Sequence, residues 1–426
     1  MAEAVSKAES IQRQIQVIVF DTITIEEATD RLIDYRGKTP PKTDSGVRLI
    51  TAKVVKGGQI LEEPAEFIAE DFYDEWMRRG LPQKLDVLIT TEAPLGELAI
   101  LRGSEKIALA QRIILLRAKP GHVDPVFLFY ALQSDFGQGE LKARGSGTTV
   151  LGIKQSELRK VRIPIFPLGV QRRIAGILSA YDELMENSQR RIRILEAMAR
   201  ALYREWFVHF RFPGHEKHPH VASPLGNIPQ GWEVTTFGEL YNTGSGGTPS
   251  RARPEYFEDG TIDWVKSQEL LDGFVLSTEE RITERALKES SAKLFPANAV
   301  LIALYGATIG KLAILSRTAA TNQACCAVLA KRPGFGREFA FLTLLLNRER
   351  IIGLRLGAAQ QNISQVLLRN FECLKPADEL VRRFSEQTAP LFDGILTLQR
   401  QIQTLRRTRD LLLPRLLSGQ VGLEST

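Results

Sequence analysis

The sequence contains only three cysteines, Cys325, Cys326 and Cys373, among its 426 residues. They form no CxxC pair and no even-numbered framework, which argues against structural disulfides and against a cysteine-ligated zinc site. No stretch approaches eighteen consecutive apolar residues, and the first twenty residues lack the charged, apolar and small-residue order of a secretion signal. We therefore expect a cytoplasmic protein without a secretion signal, a membrane span or a disulfide framework.

Catalytic sequence patterns are also missing. The chain has no HExxH or GxSxG motif, no Asn/Asp-Pro-Pro-aromatic tetrapeptide of an adenine methyltransferase, and no nuclease-like grouping of carboxylates with a lysine. Three of the five histidines, His215, His218 and His220, lie in a segment rich in proline and glycine, which is more typical of a solvated linker than of a metal site. We expect no catalytic residue, no metal and no cofactor in this chain.

What the chain does contain is a duplication. The stretch 171–206 recurs 210 positions later at 381–416, and its apolar residues follow the alternating three- and four-residue steps of a coiled coil. This pattern predicts two long helices, at 169–208 and 377–417, with Pro390 kinking or starting the second. The residues of the predicted helix seam and partner interface are Tyr181, Met185, Ile192, Leu195 and Leu202 in the first copy, and Leu391, Ile395, Ile402, Leu405 and Leu412 in the second.

The regions before the two helices are also related. Residues 96–101 resemble residues 310–315, and in both regions short apolar runs alternate with glycine, proline and charged residues. We predict an α+β fold with two similar globular domains in a pseudo-twofold arrangement, joined by two long antiparallel coiled-coil helices. The predicted bounds are 1–167 for the first domain, 168–210 for the central helix, 211–232 for a linker, 233–375 for the second domain and 376–426 for the C-terminal helix. An initial helix is expected over residues 1–30.

Polar loops recur at equivalent points of the two domains. The formal net charge is +6 and the isoelectric point is near 9.1, which mildly favours a polyanionic partner. Arginine and lysine suit phosphates or guanine, and asparagine and glutamine pair with adenine, whereas ordinary turn chemistry is the alternative for any single residue. The candidate DNA-binding residues are Arg36, Lys38, Thr39, Lys53, Gln111, Arg112, Arg144, Thr148 and Thr149 in the first domain, and Thr248, Ser250, Arg251, Arg253, Lys266, Ser267, Gln268, Asn322, Gln323, Gln360, Gln361 and Asn362 in the second.

Several short motifs occur in one order around and within the second domain. They are Ile228-Pro-x-Gly-Trp232, Gly247-Thr-Pro-Ser250, Ile262-x-Trp-Val265, Thr308-Ile-Gly310, Asn322-Gln323 and Gln360-x-Asn-Ile363. Together with the basic helix after each domain, they resemble the specificity subunit of type I restriction–modification systems over nearly the whole chain. The first domain departs from the motifs, with Ala110-Gln111 in place of Asn322-Gln323.

The resemblance implies a non-catalytic subunit with two target-recognition domains, each of which reads one part of a split sequence in double-stranded DNA. It further implies that the helices dock two methyltransferase subunits, which would bind S-adenosylmethionine, and through them the restriction subunits. One alternative is the specificity subunit of a related system whose partner fuses methyltransferase and nuclease. An alternative of another class is a coiled-coil scaffold without DNA readout.

Overall fold

The structure is a computed structural model that describes residues 21–35, 39–147, 149–354 and 362–420. The chain forms two compact units. Unit 1 comprises Met1–Leu184 and Leu405–Thr426, and unit 2 comprises Met185–Thr404. Each unit combines β-sheets with helices around its own buried cores, which confirms the predicted α+β class.

Unit 1 is built on a four-stranded antiparallel sheet of order β2-β10-β7-β8 and a three-stranded sheet of order β6-β3-β9. Strand β7 is buried along its whole length, as expected from its run of apolar and β-branched residues. The strands are β1 Thr22–Thr24, β2 Thr29–Asp34, β3 Val47–Ile50, β4 Val55–Lys56, β5 Gln59–Ile60, β6 Phe67–Ile68, β7 Val87–Thr91, β8 Leu95–Ile100, β9 Ile107–Leu109, β10 Ile113–Ala118 and β11 Arg162–Pro164. The helices are α1 Ile25–Ala28, α2 Tyr73–Trp76, α3 Pro125–Gln133, α4 Asp135–Ala143 and α5 Gln155–Leu158.

Unit 2 repeats this architecture. Its sheets have the orders β15-β23-β20-β21-β17 and β18-β16-β22-β19, which are the two sheet orders of unit 1 with one extra strand each. The strands are β12 His220–Ser223, β13 Gly226–Pro229, β14 Glu233–Thr236, β15 Tyr241–Ser245, β16 Ile262–Val265, β17 Gly273–Val275, β18 Arg281–Ile282, β19 Leu294–Phe295, β20 Val300–Ala303, β21 Leu312–Leu315, β22 Ala319–Thr321, β23 Cys325–Ala330 and β24 Glu372–Lys375. The helices other than the two long ones are α7 Phe237–Leu240, α8 Glu284–Glu289, α9 Arg337–Leu346, α10 Arg348–Gly353 and α11 Gln365–Arg369.

Two long helices carry the coiled-coil pattern. Helix α6 spans Leu168–Tyr203 and continues as a π-helical turn over Arg204–Val208, and helix α12 spans Asp378–Leu417. Their segments pack antiparallel within unit 2, where the Leu195 side chain adjoins Gly394 and the Tyr203 ring lies 5.9 Å from the Phe384 ring. The segments in unit 1 are antiparallel as well, because Arg409 pairs with Asp182, and Leu416 shares a core with Ile174 and Leu178.

Three local expectations differ from the structure. Residues 1–20 of the expected initial helix lie outside the described residues, and from Thr22 onward the chain forms β1, one helical turn and β2, because β-branched residues favour strands there. Of the two roles predicted for Pro390, the helix start is wrong, because the last helix begins twelve residues earlier at Asp378, and the kink stays a prediction. The segment 211–232, expected as an open linker, contains the β12–β13 hairpin and buries Phe212, Ile228 and Trp232 in the core of unit 2.

Candidate nucleic-acid interface

Three loops of unit 2 meet at one place: residues 246–253, residues 266–269 and residues 321–323. Backbone hydrogen bonds hold them together, since Gly247 N donates to Thr321 O at 3.0 Å, and Asn322 N donates at 2.9 Å to the carbonyl of Val265, the residue immediately before the second loop. The Trp264 indole N–H donates to Gly247 O at 3.1 Å. A Cβ atom on Gly246 would lie 2.0 Å from Thr321 O, so only glycine allows this approach. The sequence thus brings three predicted groups of polar residues together.

The amide side chains of these loops differ in accessibility. Gln323 is exposed and accepts a hydrogen bond from the Thr248 hydroxyl. The side-chain oxygen of Asn322 is buried and has no hydrogen-bond partner within the protein. Gln268 is exposed and donates to Glu279 Oε2 at 3.1 Å. Of the predicted amides in these loops, Gln323 and Gln268 are therefore better placed than Asn322 to reach a base.

The predicted cations of these loops are held by carboxylates. Glu280 binds Arg251 at 2.5 Å and Lys266 at 2.9 Å, an arrangement that we call the second glutamate bridge. The Arg251 side chain stays 56% exposed, with its guanidinium over the Phe257 ring at 4.4 Å, whereas the Lys266 side chain is only 16% exposed. Hydrogen bonds from Arg251 and then Lys266 lower the pKa of Glu280 to about 2, so its charge persists at neutral pH.

Unit 1 contains a similar bridge. Glu66 binds Lys42 at 2.7 Å and Lys53 at 3.1 Å, which we call the first glutamate bridge. The close contact with the Lys42 ammonium, together with the hydrogen bond from Lys53, lowers the pKa of Glu66 despite the opposing effect of burial. Lys53 was predicted from the sequence, but Lys42 and both bridging glutamates were not. The signal was present in the alignment of Thr39-Pro40 with Thr248-Pro249, which places Lys42 opposite Arg251.

A second polar group in unit 1 surrounds Gln111. This residue is half-buried and lines a groove of about 340 Å³ together with Thr91, Glu92, Ser146 and Lys154. Arg112 forms an ion pair with Glu92 at 2.8 Å. The backbone around the groove is duplicated in unit 2. Ile153 N donates to Thr91 O and Ile363 N donates to Leu304 O, both at 2.9 Å.

The remaining predicted loop residues are distributed as follows. Arg253 pairs with Glu289 at 2.9 Å, and Arg144 lies 3.5 Å from Glu140 and 3.7 Å from Glu157. Thr39, Thr149, Ser250 and Asn362 are exposed, and Ser267 is half-buried. Predictions at Arg36, Lys38, Thr148, Gln360 and Gln361 lie outside the described residues.

Every predicted seam residue is buried or half-buried. Met185, Ile192 and Ile395 are buried, and Ile192 and Ile395 form a small core with Leu398 that Leu195 and Ile402 flank. Half-buried seam residues are Tyr181, Leu195, Leu202, Leu391, Ile402, Leu405 and Leu412. The burial of these residues fits a seam between helices, and their predicted role in partner binding stays a prediction.

The described ranges contain neither a metal-binding cluster nor a membrane-spanning helix. Within residues 21–35, 39–147, 149–354 and 362–420, no group of three or more histidine, cysteine, aspartate or glutamate side chains could hold a metal ion. The three cysteines are buried free thiols, and burial raises the pKa of Cys326 to about 11. Among the helices of those same ranges, none has both the length and the apolarity needed to cross a membrane.

The known proteins that this chain resembles are specificity subunits of type I restriction enzymes. The family described as "Type I restriction modification DNA specificity domain" matches residues 43–197 and again residues 229–378. The MjaIX specificity subunit of Methanocaldococcus jannaschii is 27% identical over 361 residues, covering 84% of this chain and 82% of the relative. The EcoR124I/EcoR124II specificity subunit of Escherichia coli is 36% identical over 100 residues, 23% of this chain and 25% of the relative. In fold, the chain resembles the crystal structure of a type I restriction–modification S subunit from M. genitalium, with a TM-score of 0.61, 17% identity, and coverage of 95% and 97% of the two chains.

Proposed function

The chain belongs to the type I restriction–modification DNA specificity family, and from this premise we propose that it reads a split DNA target, one half-site with each unit. The observation that carries the proposal is the duplicated interface. Both units use the same sheet orders to assemble loops that hold a glutamate bridge beside exposed polar side chains. Two copies of one reader with different side chains suit two different half-sites.

The two units supply different chemistry to their proposed half-sites. In unit 2, Gln323 and Gln268 have exposed amides that suit the edge of a base, and Arg251 suits a phosphate or a guanine. In unit 1, Ala110 replaces Asn322 and Gln111 corresponds to Gln323, and Lys53 is 66% exposed. This difference favours unlike sequences for the two half-sites.

The long helices would set the distance between the half-sites. At 1.5 Å per residue, the 36 residues of α6 span about 54 Å and the 40 residues of α12 about 60 Å. One turn of DNA is about 34 Å long, so helices of this length are sufficient to fix two readers on one duplex. We infer that the length of the helices determines how many base pairs separate the two half-sites.

Helix α6 also offers a surface for a partner subunit. Ile194 and Met198 are 52% and 51% exposed, and they follow Arg190 at four-residue steps along one side of the helix. Large apolar side chains that stay exposed in neighbouring positions are typical of protein interfaces. We infer that methyltransferase subunits dock here and bring S-adenosylmethionine and, through further contacts, the restriction subunits, while this chain contributes no catalytic step.

A domain exchange tests the split-target proposal. Residues 233–375 are replaced by the equivalent domain of a relative with a different target, and methylated adenines are mapped in cells that carry the hybrid with its partner subunits. We expect one half of the methylated sequence to change, while the other half and the gap stay the same. A folded and assembled hybrid that changes both halves together would contradict the proposal, and a scaffold without DNA readout would change neither.

The docking surface is tested by co-purification. I194D with M198D should reduce recovery of the methyltransferase subunits because two charges would be buried at the interface. The matched control is V221D, which adds a charge at an exposed apolar residue of the β12–β13 hairpin. Recovery of the double variant at wild-type stoichiometry would exclude this surface.

A further inference from the structure

The two glutamate bridges occupy equivalent positions in their units. Strand β6 pairs with β3 in the same antiparallel register in which β18 pairs with β16. Glu66 O accepts from Leu49 N at 2.8 Å, and Glu280 O accepts from Trp264 N at 3.2 Å. The backbone therefore places one carboxylate immediately before each edge strand. The glutamate recurs from one register, whereas the cation after the strand does not, because Lys53 lies three residues after β3 and Lys266 one residue after β16.

Each bridge joins two of the loops that converge at the interface. Lys42 and Arg251 each lie three residues after the threonine of the Thr-Pro dipeptide in their unit. Lys53 and Lys266 come after strands β3 and β16. The glutamate thus connects a cation from the first loop to a cation from the second. In unit 2, Glu279 adds a further contact to Lys266 at 2.8 Å.

The bridged cations keep donors that point away from the carboxylate. A lysine ammonium has three donors and an arginine guanidinium has five, and Lys42, Lys53 and Arg251 each satisfy one carboxylate while staying 45%, 66% and 56% exposed. Arg251 is further restrained by its position over the Phe257 and Trp264 rings, at 4.4 and 5.3 Å. Lys266 donates to two carboxylates, and its side chain is mostly buried. Its role in the bridge is therefore to fix Glu280 in place.

We propose that Glu66 and Glu280 are positioning residues that hold Lys42 with Lys53, and Arg251 with Lys266, in the geometry that binds DNA. This inference rests on the proposed DNA-reading function and assigns a role to groups that do not themselves touch DNA. Long cationic side chains lose much rotamer freedom when a ligand fixes them. A glutamate bridge fixes these side chains when the protein folds, so less conformational entropy is lost when DNA binds. The cations therefore bind DNA more tightly and in one orientation.

The opposite role is a carboxylate that neutralises the cations and keeps phosphates away. The two roles predict opposite signs when the charge of the glutamate is removed at constant size. A positioning glutamate makes E280Q bind the target more weakly, because Arg251 loses the ion pair that helps to hold its guanidinium in place. A neutralising glutamate makes E280Q bind all DNA more tightly and steepens the dependence of affinity on salt.

The experiment uses the chain assembled with its methyltransferase subunits and a 30-base-pair duplex that contains the sequence methylated in the host. Affinity is measured over a range of salt concentrations for wild type, E280Q, E280D and the control E233Q. Glu233 is an exposed carboxylate of the same unit that pairs with Lys375 at 2.9 Å, outside the three loops. We expect about a tenfold loss for E280Q, equal to about 1.4 kcal/mol, partial recovery in E280D and no change in E233Q.

A double-mutant cycle separates positioning from a general effect on folding. If Glu280 acts through Arg251, E280Q added to R251A should cause little further loss of affinity. An unchanged or tighter E280Q, or a tenfold loss that persists in the R251A background, would overturn the inference. The same cycle with E66Q and K42A tests unit 1. If the wild-type complex itself fails to prefer the methylated sequence over a scrambled duplex, the proposed function fails, and not the role of the bridges.

Discussion

The same helix junction is polar in unit 1 and apolar in unit 2. In unit 1, Asp182 of α6 accepts hydrogen bonds from Tyr130 of α3 and Arg409 of α12, both at 2.6 Å. The duplication places Leu342, Phe392 and Ala199 at the corresponding positions of unit 2. There Leu342, Phe392 and Ala199 line a cavity of about 140 Å³, and the rings of Phe341 and Phe392 meet at 5.8 Å.

A second position repeats this contrast. Gln171 of α6 is fully buried, and its side chain accepts from Asp124 N at 2.9 Å and donates to the carbonyls of Phe166 and His122 at 2.7 and 3.1 Å. Its counterpart in unit 2 is Val381, which is also fully buried. The fold therefore tolerates either chemistry, provided that the position is buried and every polar group has a partner.

The largest expected effect comes from breaking the polar junction. D182A should lower the free energy of unfolding of unit 1 by about 3 kcal/mol, because the buried Tyr130 hydroxyl would lose its acceptor and Arg409 would keep only one of its two carboxylates, Asp410 at 2.8 Å. Native-state hydrogen exchange in β10 and α3 measures the change locally. E183A, which alters an exposed neighbour on the same helix, should change the stability by less than about 0.5 kcal/mol. Equal effects of the two substitutions would contradict the role given to Asp182.

Gln171 offers a smaller test of the same contrast. Q171V introduces the residue type of unit 2 but leaves Asp124 N and two carbonyl groups without their side-chain partner. We expect a loss of about 2 kcal/mol, within the usual cost of unsatisfied buried groups. The exposed neighbour Arg172 provides the control variant R172A. If Q171V is as stable as R172A, the three hydrogen bonds do not stabilise unit 1.

Transplanting the whole apolar junction should cost less than breaking the polar one. The triple variant Y130L, D182F and R409A removes all three polar groups together, so no buried charge stays unpaired. Replacement of a buried ionic group by apolar residues is often neutral or stabilising. We expect a stability within about 2 kcal/mol of wild type and above that of D182A alone. A triple variant that is less stable than D182A would show that the two junctions are not interchangeable.

The pattern of buried positions could be read from the sequence, and the partners of polar groups could not. The apolar three- and four-residue steps predicted both long helices, and α6 with its π-helical turn and α12 lie within one residue of the predicted bounds 169–208 and 377–417. Sequence spacing does not reveal that Asp182 meets Arg409, 227 residues away. Such a pair depends on the antiparallel register, which only the packed helices define.

The candidate interface shows the same division. Recurrence between the domains identified the loops around Thr248, Lys266 and Asn322, because turn and polar residues return at similar offsets. It did not identify the bridging glutamates, since each precedes a two-residue edge strand that carries little pattern of its own. The 211–232 segment was misjudged for a similar reason, because its prolines and glycines concealed a hairpin that contributes aromatic residues to the core.

The smallest expected effect concerns the stability that the second glutamate bridge adds to unit 2. The pKa of Glu280 is lowered from 4.5 to about 2 by Arg251 and Lys266, so the ionised carboxylate stabilises the folded state above pH 4.5. Because the side chain is 30% exposed and solvent screens the pair, we expect E280Q to cost only about 1 kcal/mol at pH 7. The difference in the free energy of unfolding between wild type and E280Q should shrink as the pH falls from 4.5 towards 2, where Glu280 becomes protonated in the folded state as well.

Denaturant unfolding at pH 7, 5 and 3.5, with E233Q as control, measures this trend. A difference that stays constant across the three pH values would mean that the charge of Glu280 does not stabilise unit 2.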